Sequence, residues 1–288
     1  NNADLTCIET DTGNKPNGVT WLKDTTTEYQ IDCHYGLTYV PDNAFEQALI
    51  DKGLDLGSLD DYVPTSRIET FSNLDISNNI IEDLTGLEDF IGLKKLNFSN
   101  NAVSELDLSK NILLEELNAF NNTLTNIDLS LNPNLEVLNI SGNSLSEIDL
   151  NANTNLLELD VSGNQLTVLN VDALVDLQFL DCSSNVLESL SVELNPQLVN
   201  LYCQDNSFVS DQLNLQNGAN QSLTNFNATD NPDLACILVD YPFTVITNAG
   251  GVYDNWIKDV ISNYQSVCED ADNDGVANAD DQCLGTPF

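Results

Sequence analysis

Near the C-terminal end of the chain, Asp270, Asp272, Asp274, Asn278 and Asp281 put side-chain oxygens at positions 1, 3, 5, 9 and 12 of a loop, with Gly275 at position 6. Oxygen donors at that spacing, with a glycine for the sharp bend, suit a hard calcium ion, and the backbone carbonyl of Val276 would complete the set. The other residues that invite chemistry are the seven cysteines Cys7, Cys33, Cys182, Cys203, Cys236, Cys268 and Cys283 and the single histidine, His34. A Cys33–His34 nucleophile is set aside, because Cys33 has a better use as a disulfide partner. Asp107, Asp128 and Asp149 recur at one position and read as a solvated acidic row rather than a row of calcium sites. Paired carboxylates are so common in this chain that they single out nothing. No catalytic set emerges, and the expectation is that this is not an enzyme.

Charge narrows the partners. Lys and Arg total 8 against 46 Asp and Glu, a formal charge of −38. Such a surface repels nucleic acid, whose phosphates need a basic face, and it does not dock unaided on anionic lipid. It favours solubility, divalent cations and cationic partners. No apolar run approaches the length that a membrane-spanning helix needs, so no membrane insertion is expected. With 41% hydrophobic residues there is ample material for a core. The absence of a signal peptide is read as marking a mature or excised piece.

The elements that must position these residues come from a repeat. Leu96, Leu117, Leu138, Leu159, Leu180 and Leu201 recur with a strict 21-residue period, and each is followed five positions later by asparagine: Asn101, Asn122, Asn143, Asn164, Asn185 and Asn206. A fixed period of this size marks a solenoid. Leu135-Glu-Val-Leu138-Asn-Ile140-Ser-Gly-Asn143-Ser-Leu145 and its neighbours fit L-x-x-L-x-L-x-x-N-x-L, so the region resembles the leucine-rich repeat family. The alternation predicts a short strand whose leucines face inward, and the asparagine is placed to bond backbone groups that the turn leaves unpaired. The expected fold is an α/β repeat solenoid: a short-repeat leucine-rich repeat with a parallel concave sheet and an extended or 3₁₀ convex side, since so short a repeat leaves no room for a long helix. Stacked repeats bury what none can bury alone. Leu74 heads a first turn slightly out of period and Phe226 a last one after a four-residue insertion, about eight turns in all.

Alternation also lists the concave face: Lys95, Asn97, Ser99; Glu116, Asn118, Phe120; Val137, Asn139, Ser141; Glu158, Asp160, Ser162; Phe179, Asp181, Ser183; Asn200, Tyr202, Gln204; and Asn225, Asn227, Thr229. The candidate ligand-binding residues there are Phe120, Asp160, Phe179, Asp181, Asn200, Tyr202 and Asn227. Cys182 and Cys203 fill inward positions of adjacent turns and read as buried small hydrophobes.

Both ends carry caps. Asn43 and Glu46 suggest a capping box for a helix with Phe45, Ala48 and Leu49 on one face and Gly53 at its end, which would cover the first turn's open edge. Residues 1–33 repeat residues 230–268: Cys7, Trp21, Tyr29 and Cys33 correspond to Cys236, Trp256, Tyr264 and Cys268. The duplicated spacing predicts two equivalent disulfides, Cys7–Cys33 and Cys236–Cys268, each closing a loop of about 26–33 residues and worth ~3–4 kcal/mol. The expected organisation is 1–36, the cap of a preceding array; 37–66, an N-terminal helical cap; 67–235, the repeats; 236–268, a disulfide-closed cap; and 269–288, a calcium-binding linker.

Asp281 stands where an EF-hand has glutamate, and no helices flank the loop. With Cys283 and Thr286-Pro287 after it, the stretch resembles a thrombospondin type 3 repeat. Such repeats link modules in surface proteins of Bacteroidota, so the resemblance implies a secreted leucine-rich repeat surface protein of that type, with Ca²⁺ as its cofactor. The expected role is an extracellular binding or adhesion module of a larger bacterial surface protein, flanked by further domains, offering its concave sheet to a protein or glycan on a cell or matrix surface. The rivals are a spacer in a surface filament or stalk and a non-catalytic module of a secreted polysaccharide-degrading enzyme. Calcium titration by calorimetry should show one binding event in the parent chain and none in Asp272→Ala or Asp274→Ala; identical heats in all three contradict the site.

Overall fold

A computed structural model describes residues 36–209, 211–240 and 253–266, together with the backbone of two short strands, β1 (Cys7–Glu9) and β2 (Glu28–Gln30). β1 and β2 pair in parallel with Ile8 opposite Tyr29. Downstream, β3 (Leu37–Tyr39) pairs antiparallel with β4 (Tyr62–Pro64), enclosing helix α1 (Asn43–Asp51), and the short α2 (Thr65–Ile68) follows.

The solenoid then begins. Strands β5 (Asn73–Asp75), β6 (Lys95–Asn97), β7 (Glu116–Asn118), β8 (Val137–Asn139), β9 (Glu158–Asp160) and β10 (Phe179–Asp181) each pair in parallel with the next. After the two-residue β11 (Leu190–Ser191) come β12 (Asn200–Tyr202), β13 (Leu213–Asn214), β14 (Asn225–Ala228), β15 (Cys236–Leu238), β16 (Trp256–Lys258) and β17 (Asn263–Gln265). Strands β5 to β10, β12, β14 and β16 form one nine-stranded parallel sheet; β11, β13, β15 and β17 form a second parallel sheet near the C-terminal end.

The expected leucines lie inside. Leu96, Leu117, Leu138, Leu159, Leu180 and Leu201 are buried, and so are their partners two residues on, Phe98, Ala119, Ile140, Val161, Cys182 and Cys203. Between strands the chain runs through turns, with 3₁₀ helix at Leu87–Asp89 and Asn220–Ser222, as a short repeat requires.

The ladder asparagines stitch one turn to the one before. Asn164 donates from Nδ2 to the carbonyls of Val161 in its own turn (3.0 Å) and Ile140 in the preceding one (3.1 Å), while its Oδ1 accepts Leu145 N–H at 3.0 Å. Asn122, Asn143, Asn185 and Asn206 repeat the arrangement. The amide needs a backbone that swings it inward, and the residue before each one is left-handed: Asn100 (φ 55°), Asn121 (55°), Gly142 (64°), Gly163 (62°), Ser184 (53°), Asp205 (56°) and Asp230 (59°). Asparagine, aspartate and glycine recur there because they tolerate that conformation.

Three expectations need correction. The helix N-cap is Asp42, not Asn43: its Oδ1 accepts the N–H groups of Ala44 and Phe45, and its Oδ2 takes those of Glu82 and Asp83. Glu46 does not reach back to the cap. It is fully buried and accepts Asp60 and Asp61 N–H instead, so it pins the following loop. Ser99, Ser141 and Ser183 do not stand on the concave face but are buried past the strand ends.

The C-terminal cap continues the repeat geometry. β16 extends the main sheet to a ninth strand, one step of about 4.8 Å beyond eight. β15 and β17 pair with Ile237 opposite Tyr264, the register that Ile8 and Tyr29 show in β1 and β2. Trp256 closes this end, donating Nε1–H to the Leu223 carbonyl at 2.7 Å and packing on Phe226, Tyr253 and Tyr264.

A second ladder went unread in the sequence. Asn111, Asn132, Asn153 and Asn195 are fully buried on the convex side, and each donates to two carbonyls of the preceding turns, as Asn132 does to Leu108 and Asn111. Their Oδ1 atoms have no partner among the described residues. Leu174 takes this place in one turn and is equally buried. Asn164→Ala should therefore cost about 2–3 kcal/mol, since it strands the Leu145 N–H, while the Ile140 and Val161 carbonyls each keep a second donor in Asn143 and Asn185. Leu159→Ala should cost about 2–5 kcal/mol, and Asn153→Leu, which copies Leu174, less than Asn164→Ala. Urea unfolding checks the order; a near-neutral Asn164→Ala contradicts it.

Candidate functional site on the concave sheet

Two files of side chains cross the concave face. The strand register places Asn73, Lys95, Glu116, Val137, Glu158, Phe179, Asn200 and Asn225 in one, and Asp75, Asn97, Asn118, Asn139, Asp160, Asp181, Tyr202 and Asn227 in the other. In the first file Lys95 is ion-paired with Glu116; beside it Lys94 meets Glu115 at 2.6 Å. The hydrogen bond to Glu116 holds the Lys95 ammonium above its ordinary range. These pairs are solvent-exposed and weigh little in stability.

The candidate residues are partly brought together. Phe179 and Tyr202 lie diagonally on adjacent strands, ring centroids 5.9 Å apart and tilted by 53°. Asp181 flanks Tyr202 on one side and Asn227 on the other, with Asp160 next along. Asn200 sits between Phe179 and Asn225, its Oδ1 accepting from Asn225 Nδ2 at 2.6 Å. Phe120 stands apart. It lies past the end of β7, 41% exposed, against Gly142, and two strands, β8 and β9, lie between it and Phe179, three strand steps or on the order of 14 Å.

Asp160, Asp181 and Asn227 already have a local task. Each Oδ1 accepts the backbone N–H two residues on, from Ser162, Ser183 and Thr229, and the hydroxyls of those residues donate to the same atom. This turn closes the strand and leaves the second terminal atom of each side chain outward. Asp107, Asp128 and Asp149 do likewise on the next turn of the chain, accepting from Ser109, Ser130 and Asn151. Hydrogen bonds from Ser109 hold the Asp107 carboxyl low, and those from Ser130 do the same for Asp128. Among the described residues no group of three or more His, Cys, Asp or Glu converges on a point where a metal would sit.

Asn97, Asn118 and Asn139, placed on the concave face by alternation but not chosen as ligand candidates, share the file of the chosen residues; their 21-residue spacing was the available signal. Cys182 and Cys203 are free, fully buried thiols, pushed well above the ordinary thiol range by burial. Cys236 is buried and is not a free thiol. The calcium-loop residues Asp270, Asp272, Asp274, Val276, Asn278 and Asp281, and also His34, Cys33, Cys268 and Cys283, lie outside the described residues, as does the Cys7 side chain.

Burial raises the Asp181 carboxyl, against the Ser183 hydrogen bonds, and the Asp160 carboxylate in register beside it adds to the rise. A raised folded pKa means that the folded chain holds more protons than the unfolded one just above the ordinary value of 3.8, so stability falls as pH rises through that window. Asp181→Asn keeps the Oδ1 acceptor and removes the charge. It should raise the melting temperature at pH 7 and lose its advantage below the ordinary carboxylate range, as thermal scans from pH 3 to 7 would show; a lower melting temperature at pH 7 contradicts this reading.

Comparison with protein-family models and with curated proteins gives no match. Solved structures do share the fold. An internalin C2 of Listeria monocytogenes is similar at 21% identity with a TM-score of 0.56, over 67% of this chain and 86% of that one. An internalin (inlF) of the same organism is similar at 17% identity and TM-score 0.58, over 80% and 78%. A leucine-rich repeat protein of Leptospira interrogans is similar at 19% identity and TM-score 0.55; it overlaps 70% of this chain, which spans only about half (51%) of that protein's length. At such identities the likeness speaks for the fold alone. Joined to the 21-residue period, the asparagine ladder and the parallel concave sheet, it identifies the molecule as a leucine-rich repeat solenoid whose structural neighbours include bacterial leucine-rich repeat proteins.

Proposed function

We propose that this chain is an extracellular binding module of a larger bacterial surface protein, non-catalytic, offering its concave sheet to a protein or glycan on a cell or matrix surface. One observation carries the reading: the concave face is an in-register array of side chains, those of the second file with an outward atom left unpaired among the described residues, set on strands whose core contacts lie on the other side. Side chains on such strands are held more tightly than on loops. Phe179 and Tyr202 supply contact area at low entropic cost. No helix among the described residues is long and apolar enough to cross a membrane, and the charge of −38 suits a solvated setting.

Three further assignments complete the proposal. Asp270, Asp272, Asp274, Val276, Asn278 and Asp281 hold Ca²⁺ in a thrombospondin type 3-like linker. Cys7 bridges Cys33, and Cys236 bridges Cys268. Further domains of the same protein lie upstream and downstream. A spacer role in a filament or stalk is the second reading, and the recurrence of the β15–β17 register in β1–β2 favours it, because it suits tandem arrays.

A binding screen against glycans and cell-surface extracts separates the two readings. The parent chain should bind, and Phe179→Ala combined with Tyr202→Ala should lose binding while changing stability by no more than about 0.5 kcal/mol per site. Undiminished binding in the double variant refutes the concave assignment, and a parent that binds nothing favours the spacer.

A further inference from the structure

The outward atoms of the second concave file form a pattern. In Asp75, Asn97, Asn118, Asn139, Asp160, Asp181 and Asn227 the Oδ1 atom accepts the N–H two residues on, at 3.0–3.1 Å. The second terminal atom is left free each time, with no partner among the described residues. Along the sheet the free atoms therefore read: a carboxylate oxygen at Asp75; amide N–H₂ donors at Asn97, Asn118 and Asn139; carboxylate oxygens at Asp160 and Asp181; the Tyr202 hydroxyl; and a last amide donor at Asn227. Each step is one strand spacing, about 4.8 Å.

Resting on the concave-face reading above, we propose that this file binds a neutral, hydroxyl-bearing polysaccharide chain laid along the solenoid axis, across the strands. A straight file with a single polar group at every step calls for a periodic ligand. An extended peptide advances about 3.3 Å per residue and alternates its sides, so its groups fall out of step with the file; a sugar ring in a linear glycan advances by nearly one strand spacing. The file passes from donors to acceptors and back, and a hydroxyl both donates and accepts, so one repeating unit serves every position.

Charge excludes the alternatives. A uronate or sulfate polymer would meet Asp75, Asp160 and Asp181 on a chain of net charge −38, and a polycation would leave the donors of Asn97, Asn118 and Asn139 unused. The centre of a protein interface is depleted of charge, whereas the middle of this sheet carries Glu158, Asp160 and Asp181. The tilted Phe179–Tyr202 pair offers aromatic faces to the apolar C–H side of a sugar ring at one end of the file.

Affinity electrophoresis of the full chain in gels cast with a linear β-glucan, a mannan or a xylan, beside polygalacturonate, tests this, with an extended-peptide library screened in parallel. Asn139→Asp and Asp160→Asn each keep the Oδ1 acceptor, and with it the turn, while inverting one free atom. At least one neutral polysaccharide should retard the parent, and each variant should weaken that retardation about tenfold with its thermal unfolding still cooperative. Retardation by polygalacturonate alone, by no neutral polysaccharide, or equally in parent and variants overturns the glycan assignment. Peptides selected by the parent and lost in Phe179→Ala plus Tyr202→Ala also overturn it, but leave the concave face as the working surface. A ligand whose binding survives that double replacement and both single variants overturns both.

Discussion

The structure depends on one side-chain amide used three ways. From Asn122 to Asn206 the asparagine of each turn makes three principal bonds, donating to one inner carbonyl of its own turn and one of the preceding turn and accepting one N–H of the preceding turn, all backbone groups inside the solenoid. Two of the three bonds reach the preceding turn, so the residue that completes its own turn also fixes the distance and register to its neighbour. Glutamine is too long for this geometry, and aspartate lacks the donors. The leucines supply the burial; the amide makes burial compatible with a chain that must complete its turn within so short a repeat.

The concave face inherits its order from that core. Because each turn repeats the one before at a single strand spacing, the residues after the inner leucines fall into straight files. Because each Asn or Asp of the second file spends one oxygen on closing its own strand, only the other terminal atom is left to face solvent. The same substitution can therefore change the outer chemistry and leave the fold alone, as an Asp/Asn exchange does. Asp181 shows the cost of such a surface, since burial first, and then the Asp160 carboxylate in register beside it, resist its charge.

Much of this was legible in the sequence. The inner leucines, the first asparagine ladder and the parallel sheet follow from a single period, and the inward place of Cys182 and Cys203 follows from alternation. The errors came where tertiary contacts decide. Asp42 outcompetes Asn43 as the cap because its second oxygen also collects the Glu82 and Asp83 amides, 40 and 41 residues away. Glu46 is drawn inward by the Asp60 and Asp61 amides, which no local pattern announces. Phe120 was grouped with Phe179 by type, but two strands lie between them. The convex ladder of Asn111, Asn132, Asn153 and Asn195 was readable and was obscured by Leu174, which breaks the run.

If the amide ladder holds the turns together, its backbone partners must open only when the whole stack opens. Native-state hydrogen exchange on the amides of Leu124, Leu145, Leu166 and Leu187, each donating to a ladder Oδ1, measures this directly. The account predicts one common and high protection, equal to that of the central strand amides and falling with the global unfolding free energy as denaturant is added. Exchange of these four at separate, lower free energies, with the strands still protected, would show that the leucine core stands without the ladder and would contradict the account.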